Sequence, residues 1–125
     1  MPKIFVYGTL RKGESNHYFL RNATLIRENF LLQGYELRAN LHYPYAFLSE
    51  DKEIIGDVYE ISEASMIGDL DDLEGVSENY YMRFWDEKND FFIYLKAKDN
   101  RDDYPVIENG DWIDYRKNKK NIQVS

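Results

Sequence analysis

An acid on the apolar side of a helix, at the end where the helix dipole is negative, is placed to move protons. Residues 62–75, SEASMIGDLDDLEG, read as one short helix that ends in such an acid, Glu74. Ser62 suits the N-cap, Ile61 can staple the first turn, and Gly75 suits the position just past the end. At about 100° per residue, Met66, Ile67, Leu70 and Leu73 share a stripe, and Glu74 falls inside it, close in angle to Ile67. Asp69 and Asp72 point away, and Asp69, Asp71 and Asp72 together read as a solvated face. Burial and the dipole both penalise a charged Glu74, which raises its pKa and fits a general base. A helix-end acid that frays into solvent or pairs with Arg83 fits the same pattern, and the helix alone leaves the two open.

The second chemical feature is Tyr7-Gly8-Thr9-Leu10, a glycine directly after a β-rich run. Such a glycine lets the backbone turn and approach a ligand, and successive N–H groups in the turn can cradle a carboxylate or phosphate. The Gly-Lys-Ser/Thr ending of a phosphate loop is missing, and a plain strand-ending turn fits the same residues. His17 and His42 have no carboxylate or second histidine at ligand spacing, so no metal is expected. No Gly-x-Ser-x-Gly elbow occurs, which counts against serine hydrolysis. Tyr43, Tyr81 and Tyr94 are candidate pocket residues, while Arg83 either orients a carboxylate or lies on the outer face of a sheet.

These residues need a frame to position them. Residues 3–7 form a first strand, 11–15 a loop and 16–21 a short helix. Residues 25–39 read as two strands broken near Gln33-Gly34, and 43–46 as irregular because of Pro44. Residues 54–61 form a strand that feeds the helix ending at Glu74. Residues 80–85 and 91–98 form a hairpin, with Phe91, Ile93, Leu95 and Ala97 on one face. Many strands and few helices point to an α+β class, with a small mixed β-barrel flanked by short helices as the sharper expectation. The chain, residues 1–125, is expected to be one domain whose Lys- and Asn-rich tail frays from about residue 116.

Composition limits the function. Apolar residues are 43% and aromatics 16%, enough for a packed core. A net charge of −7 argues against nucleic acid as a partner, and no apolar run approaches membrane-spanning length. The absence of cysteine removes disulfides and thiolate chemistry. A cytoplasmic monomer or weak homodimer is the expectation.

The ordered motifs resemble a known family. Tyr7-Gly8-Thr9-Leu10-Arg11-x-Gly13, Tyr43-Pro44, Gly56-Asp57-Val58-Tyr59-Glu60-Ile61, Leu70-Asp71-x-Leu73-Glu74-Gly75, Tyr81-x-Arg83 and Gly110-Asp111-Trp112 follow one another as in the γ-glutamylcyclotransferase-like superfamily. They are most similar to its small members, the γ-glutamylamine cyclotransferase and AIG2-like proteins, from Ile4 to about Trp112. Tyr45 intervenes where many relatives read Tyr-Pro-Ala. The resemblance implies a small barrel in which the loop Tyr7, Gly8, Thr9 and Leu10 meets Glu74 at one cavity. It implies a cofactor-independent cyclotransferase that turns a γ-glutamyl amine or peptide into 5-oxoproline and a free amine. Glu74 is then the general acid/base, and Tyr7, Gly8, Thr9, Leu10, Tyr43 and Tyr81 bind the small-molecule substrate. A non-catalytic ligand-binding member of the same fold is the alternative.

Overall fold

The computed structural model describes residues 1–124, with side chains through residue 118. Five strands form one mixed sheet: β1 (Lys3–Val6), β2 (Thr24–Ala39), β3 (Pro44–Glu60), β4 (Tyr81–Asp86) and β5 (Phe91–Lys96), in the order β2-β3-β1-β5-β4. β1 pairs antiparallel with β3 and parallel with β5, and the hairpin β4–β5 forms as expected. The segment expected to be broken near Gln33-Gly34 is one strand, β2, with a register shift between Gln33 and Tyr35. The segment expected to be irregular opens β3. Pro44 is its first residue, where a missing N–H is tolerated.

β2 and β3 have 16 and 17 residues, so a straight pair would run roughly 50 Å. Three register shifts bend the pair over the rest of the sheet instead. The curl is barrel-like, but the sheet does not close, because β2 and β4 stay its two edges. The chain at 105–107 takes the place that closure would need. Ala39 donates its N–H to Pro105, Ile107 donates to Leu37, and Arg38 bridges to Val106.

Alternation along β1 and β5 buries both faces of the sheet. Phe5, Ile93, Leu32, Ile54 and Trp112 pack inside the curl, and Phe5 stacks on Phe91. Phe91, Ile93 and Leu95 share that core as expected, whereas Ala97 lies past the strand and is exposed. Ile4, Val6 and Tyr94 face the other way, against Met66 and Leu70 of the acidic helix and Leu20 of a 3₁₀ turn (His17–Leu20). The C-terminal helix, Trp112–Val124, covers the stretch from about residue 116 whose composition suggested fraying, and Ser125 lies outside the described residues. Among the described residues, no helix is long and apolar enough to cross a membrane.

Candidate active site

The acidic helix starts and stops as its sequence dictates. The Ser62 hydroxyl accepts from the Ser65 N–H at 3.1 Å, and Gly75 sits at φ +64°, a left-handed conformation that a side chain makes costly. A Cβ at Gly75 would also lie 2.5 Å from the Tyr80 ring. The interior departs from the expected wheel. Residues 63–73 run as α-helix, then a π turn over Met66–Leu70, then α-helix again. The Asp71 N–H donates to Met66, five residues back. A π turn inserts one residue into the helical phase. Met66 is therefore inward as expected, whereas Ile67, expected on the same stripe, is turned out: Met66 is 2% exposed and Ile67 49%. Eight residues from Met66 to Glu74, less the inserted one, bring Glu74 back to nearly the same angle, so Glu74 still points inward.

Glu74 opens into a cavity of about 660 Å³ lined also by Tyr7, Gly8, Thr9, Leu10, Tyr43 and Tyr81. All seven residues picked from the sequence thus border one space. Burial pushes the Glu74 carboxyl up to about 7. The carboxylate makes no hydrogen bond or ion pair with a described residue, Arg83 included. Three tyrosines surround it. Burial pushes the phenols of Tyr7, Tyr81 and Tyr94 upward, Asp71 adds to it at Tyr94 and Tyr7 at Tyr81, and the Glu74 charge contributes at all three, so all three stay protonated. Each hydroxyl is committed elsewhere: Tyr7 to the Tyr94 carbonyl, Tyr81 to the Pro44 carbonyl at 3.0 Å, and Tyr94 to Asp71 at 2.6 Å. The acid is therefore walled by aromatic rings whose donors are already used.

Asp71 does not lie on a solvated face. It accepts from Arg83 Nε at 2.9 Å and from Tyr94, so Arg83 is turned toward the helix rather than left on the outer face. The pair braces the turn of helix just before Glu74.

The loop at the end of β1 is closed by the Arg11 N–H donating to the Gly8 carbonyl at 3.0 Å. Gly8 has a packing reason to lack a side chain, since a Cβ there would meet Pro44 at 2.7 Å. Asn16 holds Thr9 twice, through its N–H to the Thr9 carbonyl and its Nδ2 to the Thr9 hydroxyl. His17 Nδ1 lies 3.0 Å from the Leu10 carbonyl, a contact that requires its proton on Nδ1. The backbone N–H groups of Gly8, Thr9 and Leu10 donate to no described residue, which leaves them free for an anion.

Arg11 anchors this loop from behind. Its guanidinium is buried and reaches Asp57 at 3.4 Å, Asp111 at 3.3 Å and Asn29 at 2.8 Å. Asp111 also caps the C-terminal helix, accepting from the N–H groups of Ile113 and Asp114. Sequence reasoning missed this cluster. The signal was a Gly-Asp pair that occurs three times, at Gly56-Asp57, Gly68-Asp69 and Gly110-Asp111, the first and last of which supply acids to Arg11. Asn16, Tyr80 and Lys96 also line the cavity unanticipated.

Comparisons with known proteins bear on the family and the fold. The family profile described as "Gamma-glutamyl cyclotransferase, AIG2-like" matches residues 4–114. A gamma-L-glutamyl-butirosin B gamma-glutamyl cyclotransferase of Niallia circulans is 33% identical over 93% of this chain and 78% of that protein. The gamma-glutamylcyclotransferase family protein YtfP of Escherichia coli K12 is 31% identical over 90% of this chain and 96% of its own length. A crystal structure of an uncharacterized protein from Pyrococcus horikoshii superposes with a TM-score of 0.76 over 97% of this chain and 98% of that one. Its 24% identity makes that a likeness of fold.

Proposed function

We propose that this chain, which belongs to the gamma-glutamyl cyclotransferase, AIG2-like family, converts a γ-glutamyl amine or γ-glutamyl peptide into 5-oxoproline and the free amine. The observation that carries the reading is an unpaired, buried Glu74 carboxyl, held near pKa 7, in one cavity with the free loop amides of Gly8, Thr9 and Leu10. The reaction is an internal displacement. The substrate's α-amine attacks its own γ-carbonyl, the new C–N bond closes the five-membered lactam, and the original amide C–N bond breaks.

The proton inventory assigns Glu74 its part. An α-ammonium in the ordinary range, about 8, must lose one proton before attack and a second as it becomes the lactam N–H. The leaving nitrogen gains them to depart as an ammonium. A carboxyl at its ordinary value would take the first proton uphill by roughly 4–5 kcal/mol, whereas one near 7 does so for about 1–2 kcal/mol. Glu74 receives the proton from the attacking amine and delivers it to the departing one. The amides of Gly8, Thr9 and Leu10 hold the α-carboxylate, which folds the glutamyl chain for ring closure.

The test is product identity. Wild-type protein with a γ-glutamyl dipeptide should give 5-oxoproline, and Glu74→Gln should give almost none while still binding the substrate. Glutamate as product would replace cyclisation by hydrolysis. Binding without turnover in the wild type would leave the non-catalytic reading. A kcat profile should rise through about pH 7 in the wild type.

A further inference from the structure

Among the described residues that line the cavity, Glu74 is the single acid and Lys96 the single base. Lys96 is half-buried at the end of β5, and its Nζ lies 5.0 Å from the centroid of the Tyr45 ring. It makes no hydrogen bond or ion pair with a described residue, Glu74 included. A cation that a fold holds over an aromatic face, without a counter-charge, inside a ligand-sized cavity is free to meet an anion from outside.

Strand register says where that anion sits. β1 and β5 run parallel with Ile4 opposite Phe92 and Phe5 opposite Ile93. The same offset carried forward sets Gly8 opposite Lys96, beside the loop whose amides are free. Side chains two residues apart on a strand share a face, so Lys96 projects to the same side as Tyr94, whose phenol feels the charge of Glu74. An α-amino acid carries its ammonium and its carboxylate on one carbon. A site for it needs a proton acceptor and a carboxylate anchor flanking one point, and this cavity holds a single residue of each sign.

We propose that Lys96 binds the α-carboxylate of the glutamyl end of the substrate, completing with the amides of Gly8, Thr9 and Leu10 a two-sided carboxylate site. The identity of the ligand rests on the γ-glutamyl reading above. The lysine supplies charge and the loop supplies direction, so the γ-carbonyl is left facing Glu74 and the leaving amine is left outside the anchor.

The experiment separates the two carboxylates that a γ-glutamyl dipeptide contains. Calorimetric binding of 5-oxoproline and of 5-oxoprolinamide is compared in the wild type, Lys96→Met and Lys96→Arg; neither compound has a leaving group. The wild type should prefer the acid by roughly 10–100-fold, the usual worth of a hydrogen bond to a charged group. Lys96→Met should reduce that preference to about twofold, from the amides alone, and Lys96→Arg should restore part of it. In turnover, γ-glutamylalanine and γ-glutamylethylamide should lose kcat/KM equally in Lys96→Met, through KM with kcat nearly kept. Equal binding of acid and amide by the wild type, or an unchanged preference in Lys96→Met, overturns the proposal. A loss confined to γ-glutamylalanine overturns it too, since that places Lys96 at the leaving group. If the preference disappears in Lys96→Met while neither γ-glutamyl compound yields 5-oxoproline, the anchor stands and the cyclotransferase reading falls. If 5-oxoproline forms while the preference is unchanged in Lys96→Met, the cyclotransferase reading stands and the anchor falls.

Discussion

Two acids held inside the fold, Asp57 and Glu74, have opposite fates. Asp57 is 2% exposed and meets the Arg11 guanidinium and the Asn29 N–H, so the fold matches its charge. Glu74 is partly open to the cavity, meets no cation and no donor among the described residues, and is pushed up to about 7 by burial. Burial alone therefore does not make a carboxylate reactive. What separates the two is whether the protein supplies the counter-charge or leaves the acid facing an open cavity. The same division applies to the basic residues, with Arg11 locked among three acceptors and Lys96 left over a ring.

Exchanging the two fates breaks the comparison. The largest effect belongs to Glu74→Gln, which should cost about 10²–10⁴-fold in kcat and little or no stability, read by turnover and denaturant unfolding in parallel. Asp57→Ala should do the opposite. It leaves a buried guanidinium short of a partner and should cost about 3 kcal/mol of stability, at the low end for a broken buried pair because Asp111 and Asn29 remain. Equal loss of stability in the two variants would remove the distinction.

A pH series sharpens it. Between the ordinary carboxyl value of 4.5 and about 7, folded Glu74 binds more proton than unfolded Glu74. Its contribution to stability is full below about 4.5 and is lost as the pH rises through about 7. Wild type should therefore weaken against Glu74→Gln by on the order of 2 kcal/mol between pH 5 and pH 8, measured by chemical unfolding. The smallest effect is expected from Tyr94→Phe. It removes one donor to Asp71 while Arg83 stays, and should cost about 1 kcal/mol with activity changed by less than roughly tenfold. A loss as large as that of Glu74→Gln would move Tyr94 from the wall of the site into its chemistry.

Local signals were legible, and distant ones were not. Ser62 and Gly75 fixed the ends of the acidic helix because caps act within a few residues. The π turn escaped the wheel, so Ile67 was placed inward beside Met66 although only Met66 is buried, and Glu74 was turned inward through a faulty phase. Asp71 read as a solvated acid because its partners, Arg83 and Tyr94, stand 12 and 23 residues away. Barrel closure was expected from the number of strands, yet the edge of β2 is taken by residues 105–107, a Pro-containing stretch with no strand pattern. Lys96 carries no local mark, since an alternating strand can end in lysine for solubility alone.

The Arg11 cluster sets a schedule for assembly. Its guanidinium joins residues 46 apart at Asp57 and 100 apart at Asp111, so it closes two long loops at once. Long-range contacts form late, after shorter closures have reduced the entropy that they must overcome. On a ribosome, Asp111 is made 100 residues after Arg11. The turn at Gly8, Thr9 and Leu10 is therefore made well before its brace, which is complete only when Asp111 is available. A chain cut before Asp111, or half-folded, would carry the loop without its full rear support.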